Sequence, residues 1–76
     1  MEKILSMLEE IRPEHDFTQS EDFIEDGLLD SFDLISLIDM LEGEYHIVID
    51  GLDVLPENFC STGAIANLVK KSGGNV

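Results

Sequence analysis

Asp30 and Ser31 form the part of this sequence where residue type and spacing would allow a chemical step. A serine at the start of a helix presents its hydroxyl to solvent, and the first N–H groups of a helix have no acceptor within it. Such a hydroxyl can accept a covalent group, and an anionic group attached there would meet the positive end of the helix dipole. Asp and Ser are also ordinary capping residues, so the pair taken alone favours a helix cap over an attachment site.

The other residues that could do chemistry give weaker signals. Cys60 has no neighbouring His or basic residue that would favour its thiolate, so we interpret it as a small buried hydrophobic residue. His15 and His46 lack two further ligands at useful spacing, and we interpret both as surface residues. An EF-hand register that starts at Asp22 fails because Ile24 occupies the third ligand position. The sequence therefore predicts no catalytic residue and no metal site.

The helix that must position Ser31 is predicted at residues 31–45. Asp30 is a favourable N-cap, and Asp33 follows it at the spacing of a capping box. At about 100° per residue, five side chains share one face and predict the core side of this helix. These residues are Leu34, Leu37, Ile38, Leu41 and Tyr45.

The opposite face of the same helix mixes large apolar residues with acidic ones. Phe32 and Met40 fall on this face beside Asp33, Ser36, Asp39 and Gly43. Ile35 lies on the border between the two faces. Residues 30–44 contain five acidic residues and no basic residue, so they present a negative field to Lys and Arg patches on partner proteins. The alternatives are a solvated face for the acids, and Phe32 and Met40 folded back onto the preceding segment.

Two more helices and a short one are predicted around this element. A first helix at residues 2–12 follows from apolar residues at helical spacing before a proline: Ile4, Leu5, Leu8 and Ile11. A short helical turn is predicted at residues 56–59, where a proline takes the first position. Ser61 or Thr62 can cap a last helix with four inward aliphatic residues: Ala64, Ile65, Leu68 and Val69.

The connection at residues 13–30 is long and acidic but carries recurring apolar residues. These residues, Phe17, Phe23, Ile24, Leu28 and Leu29, predict an ordered strap packed along the helices, because a disordered linker contains few of them. Gly27 is expected to supply a turn. The alternating stretch at residues 45–49 has no partner strand, so we predict an extended loop segment there. The fold class predicted is an all-α, four-helix bundle with three main helices, one short helix and a long first loop.

Composition limits the function classes that fit this chain. Its 76 residues include 17 acidic and 4 basic side chains, which give a formal net charge of −13. Such a charge repels nucleic acid and anionic membranes, whereas basic protein surfaces are attracted. A single cysteine excludes an internal disulfide framework, and we find neither a signal-peptide pattern nor an apolar run of roughly 18 residues. We therefore predict a cytoplasmic, monomeric protein without membrane insertion, in which residues 1–76 form one domain.

The string from Gly27 to Phe32, Gly-Leu-Leu-Asp-Ser-Phe, followed by an acidic amphipathic helix resembles the modification site of acyl carrier proteins and peptidyl carrier domains. The helix lengths, the long first loop and the segment at residues 56–65 are similar to that family as well, so the resemblance covers nearly the whole chain. It implies that Ser31 receives a 4′-phosphopantetheine arm from coenzyme A through a phosphopantetheinyl transferase. The thiol of the arm would then carry an acyl or aminoacyl group as a thioester, and Asp30 would orient the transferase and its metal.

The resemblance also implies a partner surface, because Phe32, Ile35 and Met40 match positions where family members supply apolar contacts. With the acidic residues, the expected partner-binding set is Phe32, Asp33, Ile35, Asp39, Met40, Glu42 and Glu44. The implied partners are a loading ligase or adenylating enzyme and downstream transferases or synthases with basic surfaces. The string is similar to D-alanyl and aminoacyl carriers, whereas fatty-acid carriers commonly have Leu after the serine. The rival hypothesis is an unmodified acidic helical adaptor that uses Ser31 only as a cap residue.

Overall fold

The computed structural model describes residues 2–75, which form three α-helices joined by two loops, the first with one 3₁₀ turn and the second with two. The helices are α1 (Glu2–Ile11), α2 (Ser31–Tyr45) and α3 (Thr62–Lys71). The 3₁₀ turns lie at Phe17–Gln19, Gly51–Asp53 and Pro56–Asn58. Residues 2–75 contain no β-strand, so the predicted all-α class is confirmed.

The predicted short helix at residues 56–59 is a single 3₁₀ turn, so the architecture is three α-helices plus turns. The N–H of Phe59 donates to the carbonyl of Pro56 at 3.0 Å, which closes this turn. Phe59 has φ −125° and ψ 9°, which lie outside the helical region, so the chain does not continue as a helix, and its ring is fully buried in the core. The three main helices lie where the sequence predicts them, although α1 ends at Ile11 and not at residue 12.

One apolar core is built from all three helices and from the loops between them. α1 contributes Ile4 and Leu8, α2 contributes Leu37 and Leu41, and α3 contributes four residues, namely Ile65, Ala66, Leu68 and Val69. Each buried aliphatic side chain contributes roughly 1.5 to 3 kcal/mol relative to an exposed one. The hydrophobic effect on these faces therefore stabilises the positions of the helices that carry the candidate site.

The segment at residues 13–30 packs as the ordered strap that the sequence predicts. Phe17 and Phe23 are buried and meet edge to face, with ring centroids 5.1 Å apart. The N–H of Phe23 donates to the carbonyl of Cys60 at 2.7 Å, which fastens the strap to the segment before α3. Gly27 has a φ of 74°, a left-handed conformation that favours glycine, so the predicted turn is confirmed.

α1 and α2 pack against each other in antiparallel orientation. Lys3 near the start of α1 pairs with Glu44 near the end of α2, with 2.8 Å between Nζ and Oε1. Arg12, directly after α1, pairs with Asp33 in the first turn of α2. Ser31 therefore lies beside the C-terminal end of α1. None of the helices in residues 2–75 has both the length and the apolar character that crossing a membrane requires.

Candidate functional site

Ser31 is exposed at the first position of α2, and a reciprocal capping box fixes where this helix begins. Asp30 has an extended backbone, and its Oδ1 accepts the N–H of Asp33 at 2.9 Å. In return, Oδ2 of Asp33 accepts the N–H of Asp30 at 3.1 Å. Two amide donors that a helix start would leave open are satisfied in this way. The capping box holds the Ser31 backbone in the first turn and leaves its side chain at the surface.

Arg12 ties this capping box to the end of α1. Its Nε donates to Oδ2 of Asp33 at 2.8 Å, and its Nη2 donates to Oδ2 of Asp30 at 3.3 Å. A third, longer bond at 3.5 Å joins Nη1 to Glu14. Sequence reasoning missed this role. The available signal was charge, because Arg12 is the one Lys or Arg between residues 4 and 69 and many carboxylates surround it in the sequence.

Asp33 is buried, with 7% of its surface exposed, so its assignment to a solvent-exposed face of α2 was wrong. The helical projection considered α2 alone, whereas Arg12 from the end of α1 covers this side of the first turn. Burial by itself would raise the pKa of Asp33. Hydrogen bonds from Arg12 and from the Asp30 amide outweigh burial and lower the pKa of this carboxyl below its ordinary value. The same hydrogen bond raises the pKa of Arg12.

Phe32 and Ile35 form an exposed apolar surface next to Ser31. Their side chains are 79% and 60% exposed, so Phe32 does not fold back onto the strap. Single exposed apolar residues are common on proteins, but these two lie within about one helical turn of each other and of Ser31 on α2. Ser36 and Asp39 are exposed further along α2. This part of the predicted partner surface is accessible to another protein.

The remaining predicted partner residues already make contacts within the chain. Met40 is half-buried and packs against the core, which differs from its predicted exposure. Glu42 is half-buried because its Oε2 accepts the N–H of Ile49 at 2.9 Å. Glu44 is exposed and paired with Lys3, whose hydrogen bond lowers the pKa of this carboxyl. The predicted set therefore divides into a surface at the start of α2 and a second group at its end.

The structure also places the cysteine and the two histidines that gave weak signals in the sequence. The Cys60 thiol is half-buried, more open than predicted, and donates to the carbonyl of Glu57 at 3.4 Å. His15 meets Phe17 edge to face, with 6.3 Å between ring centroids. His46 is exposed and ends α2 in a left-handed conformation with φ 55°. Within residues 2–75, no three His, Cys, Asp or Glu residues are grouped closely enough to hold a metal ion.

The start of α2 can support an esterified anion on the Ser31 hydroxyl. The amide of Asp33 is used by the cap, and the amide of Leu34 donates to the carbonyl of Asp30 at 3.1 Å. The amides of Ser31 and Phe32 precede them, where a helix offers no carbonyl acceptor. A phosphate at this position would meet these donors and the helix dipole.

Comparison of the chain with protein-family models, with curated proteins and with solved structures found no match.

Proposed function

We propose that the protein is an acyl carrier protein, in which Ser31 is esterified by 4′-phosphopantetheine from coenzyme A. The observation that carries this proposal is the exposed serine at the first position of α2, within the Gly27 to Phe32 string that resembles carrier modification sites. The terminal thiol of the arm then holds an acyl or aminoacyl group as a thioester. The protein supplies an attachment point and a recognition surface and catalyses no step itself.

Two features at the start of α2 reduce the electrostatic cost of an attached phosphodiester beside Asp30. The phosphodiester brings negative charge close to the Asp30 carboxylate, which is unfavourable by itself. Arg12 lies within hydrogen-bonding distance of that carboxylate and offsets part of the repulsion. The helix dipole adds a favourable contribution of about 0.3 to 1 kcal/mol for an exposed anion. In this proposal the exposed Asp30 carboxylate also orients the transferase and its metal, in addition to its hydrogen bonds with the Asp33 amide and Arg12.

Partner enzymes would recognise the surface around the arm. Phe32 and Ile35 are exposed beside Ser31, and Asp39 adds negative charge further along α2. This combination fits a phosphopantetheinyl transferase, a loading ligase or adenylating enzyme, and downstream transferases or synthases with basic surfaces. Phe32 after the serine favours an aminoacyl or D-alanyl cargo over a fatty acyl one. In this proposal the carrier is a cytoplasmic monomer, and Pro56–Asn58 takes the place of the short fourth helix of a carrier bundle.

Incubation with coenzyme A and a phosphopantetheinyl transferase of broad specificity tests the proposal. The intact mass should rise by one phosphopantetheine group, and peptide mapping should place the group on Ser31. Ser31→Ala should abolish the conversion. Ser36→Ala is the matched control, because Ser36 is exposed on the same helix and should not affect the conversion. Absence of any mass gain in the wild type, or full conversion of Ser31→Ala, would contradict the carrier function.

The second candidate function is an unmodified acidic adaptor that binds a basic partner. The capping box favours it, because the box gives Asp30 a structural role that needs no modification. An adaptor would bind its partner equally well before and after exposure to coenzyme A and transferase. A carrier would exchange cargo only after conversion. The mass measurement therefore separates the two candidates before any partner is known.

A further inference from the structure

Arg12 divides its guanidinium between one buried acceptor and two exposed ones. Its Nε donates to Asp33 at 2.8 Å, whereas its Nη bonds to Asp30 and Glu14 are longer, at 3.3 and 3.5 Å. The Asp33 side chain is 9% exposed, and the side chains of Asp30 and Glu14 are 56% and 55% exposed. Exposed ion pairs contribute little, so the Nε bond anchors the guanidinium and its Nη side is held weakly at the surface.

The Nη side of Arg12 also has hydrogen-bonding capacity left. A guanidinium carries five N–H donors, and the three bonds within the chain leave one further donor on each Nη nitrogen without an acceptor among residues 2–75. The planar fork of an arginine matches the oxygens of a phosphate, which accept parallel N–H bonds. Arg12 can therefore bind a phosphate through Nη and keep its Nε bond to Asp33.

A phosphodiester on Ser31 would need a cation close to the start of α2. It would stand next to the Asp30 carboxylate, in a chain whose net charge is already −13. Nη2 of Arg12 reaches that carboxylate, and the Cα atoms of consecutive residues are only about 3.8 Å apart. The other ion-paired cations among residues 2–75 contact acids elsewhere: Lys3 pairs with Glu44 and Lys71 with Asp53. Arg12 is therefore the cation placed to meet the attached anion.

We propose that Arg12 binds the phosphodiester on Ser31 through its Nη donors and keeps its Nε bond to Asp33. The inference rests on the proposed carrier function and names the residue that holds the phosphate of the arm. Arg12 exchanges its long bonds to Asp30 and Glu14 for phosphate oxygens, while Asp30 keeps the Asp33 amide that caps the helix at 2.9 Å. The base of the arm is thereby fastened to the end of α1, and its thiol end stays mobile.

NMR of the wild type tests this contact without any substitution. Arg12 is the only arginine of the chain, so isotope-labelled arginine gives the signals of this guanidinium alone. After conversion with coenzyme A and transferase, checked by intact mass, the Nη signals should shift and show a nuclear Overhauser effect to the phosphorus nucleus of the arm. Full conversion with unchanged Nη signals would overturn this proposal and leave the carrier function standing. Absence of any mass gain would refute both.

A thermodynamic cycle separates this contact from the structural role of Arg12. Urea denaturation of modified and unmodified protein gives the effect of the arm on the unfolding equilibrium constant in each variant. Relative to the wild type, Arg12→Gln should make this effect about threefold to tenfold less favourable, the scale of a partly exposed charge-assisted hydrogen bond.

Lys3→Gln is the matched control, because it removes one positive charge that pairs at the other end of α2. Modification should affect Lys3→Gln as it affects the wild type. Equal effects of modification in Arg12→Gln and the wild type, or in Arg12→Gln and Lys3→Gln, would overturn the proposal. If Arg12→Gln does not fold because Asp33 loses its partner, Arg12→Lys gives the same comparison, since a lysine keeps the charge but lacks the fork.

Discussion

Asp33 shows how one side chain links a local helix signal to the tertiary structure. Its carboxylate closes the capping box with Asp30 and also accepts the Arg12 bond at 2.8 Å from the end of α1. Buried carboxylates are unfavourable unless they are paired and hydrogen-bonded, and both conditions hold for Asp33. The residue therefore fixes the point at which α2 begins and so the position of the Ser31 backbone.

Asp33→Asn should reduce the free energy of unfolding at neutral pH and change its dependence on pH. The folded protein lowers the pKa of Asp33 below the ordinary value of 3.8, so the ionised form stabilises the fold. This stabilisation is complete above the unfolded value and is lost as the pH falls through the lower folded value. The difference in unfolding free energy between the wild type and Asp33→Asn should thus be constant from pH 7 to about pH 5 and shrink at lower pH. Urea denaturation at several pH values measures this difference in unfolding free energy, with Asp39→Asn as an exposed control. A difference that is unchanged at pH 2 would contradict the role of the charge.

At the scale of secondary-structure elements, α2 carries different surfaces along its length. Its first turn combines the capped Ser31 with the exposed Phe32, and its buried face packs Leu37 and Leu41 into the core. Its last turns pack against α1, with an open groove between the two helices that is lined in part by the half-buried Met40. The antiparallel packing of α1 therefore separates the exposed surface around Ser31 from the groove.

Alanine substitutions along α2 should follow the burial of the side chains. Leu41→Ala removes a fully buried side chain and should cost about 2 to 5 kcal/mol of unfolding free energy. Ile35→Ala removes an exposed one and should stay within about 0.5 kcal/mol. Met40→Ala should fall between them, because Met40 is half-buried against the core. Chemical denaturation of the three variants ranks their losses of unfolding free energy. A Met40→Ala loss as large as that of Leu41→Ala would place Met40 in the core and not in the groove lining.

At the scale of the whole molecule, acidic side chains far outnumber the basic ones that could pair with them. Three of the 4 basic residues form ion pairs among residues 2–75: Lys3 with Glu44, Arg12 with three carboxylates, and Lys71 with Asp53. Most of the 17 acidic residues therefore have no basic partner in the described part of the chain. Repulsion among them opposes the compact state, and its strength depends on screening by salt.

The melting temperature should rise when salt or magnesium is added at neutral pH. Screening weakens the repulsion among exposed acids at separations near the Debye length of about 10 Å at 0.1 M salt. The partly buried contact between Arg12 and Asp33 is screened less, so the net effect is stabilising. Thermal melts at low and moderate sodium chloride test this. Neutralising Glu21 and Glu25 to Gln should raise the midpoint at low salt and reduce the salt dependence. Identical midpoints at both salt concentrations would show that repulsion does not limit stability.

The sequence by itself determined the helical segments and their caps. α2 begins at Ser31 and ends at Tyr45 as predicted, and Ser61 caps α3 with its Oγ accepting the Ala64 N–H at 3.1 Å. Caps and apolar periodicity involve residues three or four positions apart, so one sequence contains the whole signal. The turn at Gly27 was predictable for the same reason.

Only the tertiary structure decided which side chains of α2 are available to a partner. Asp33 is buried by Arg12, which is 21 positions away, and Met40 is covered in part by its packing in the folded chain. Glu42 is occupied by the amide of Ile49, which reaches it only because the chain turns back after His46. A helical projection contains no information about such neighbours, since their contacts depend on how distant segments pack. The groove beside Gly43 exists for that reason as well, because antiparallel packing of α1 against α2 forms both of its sides.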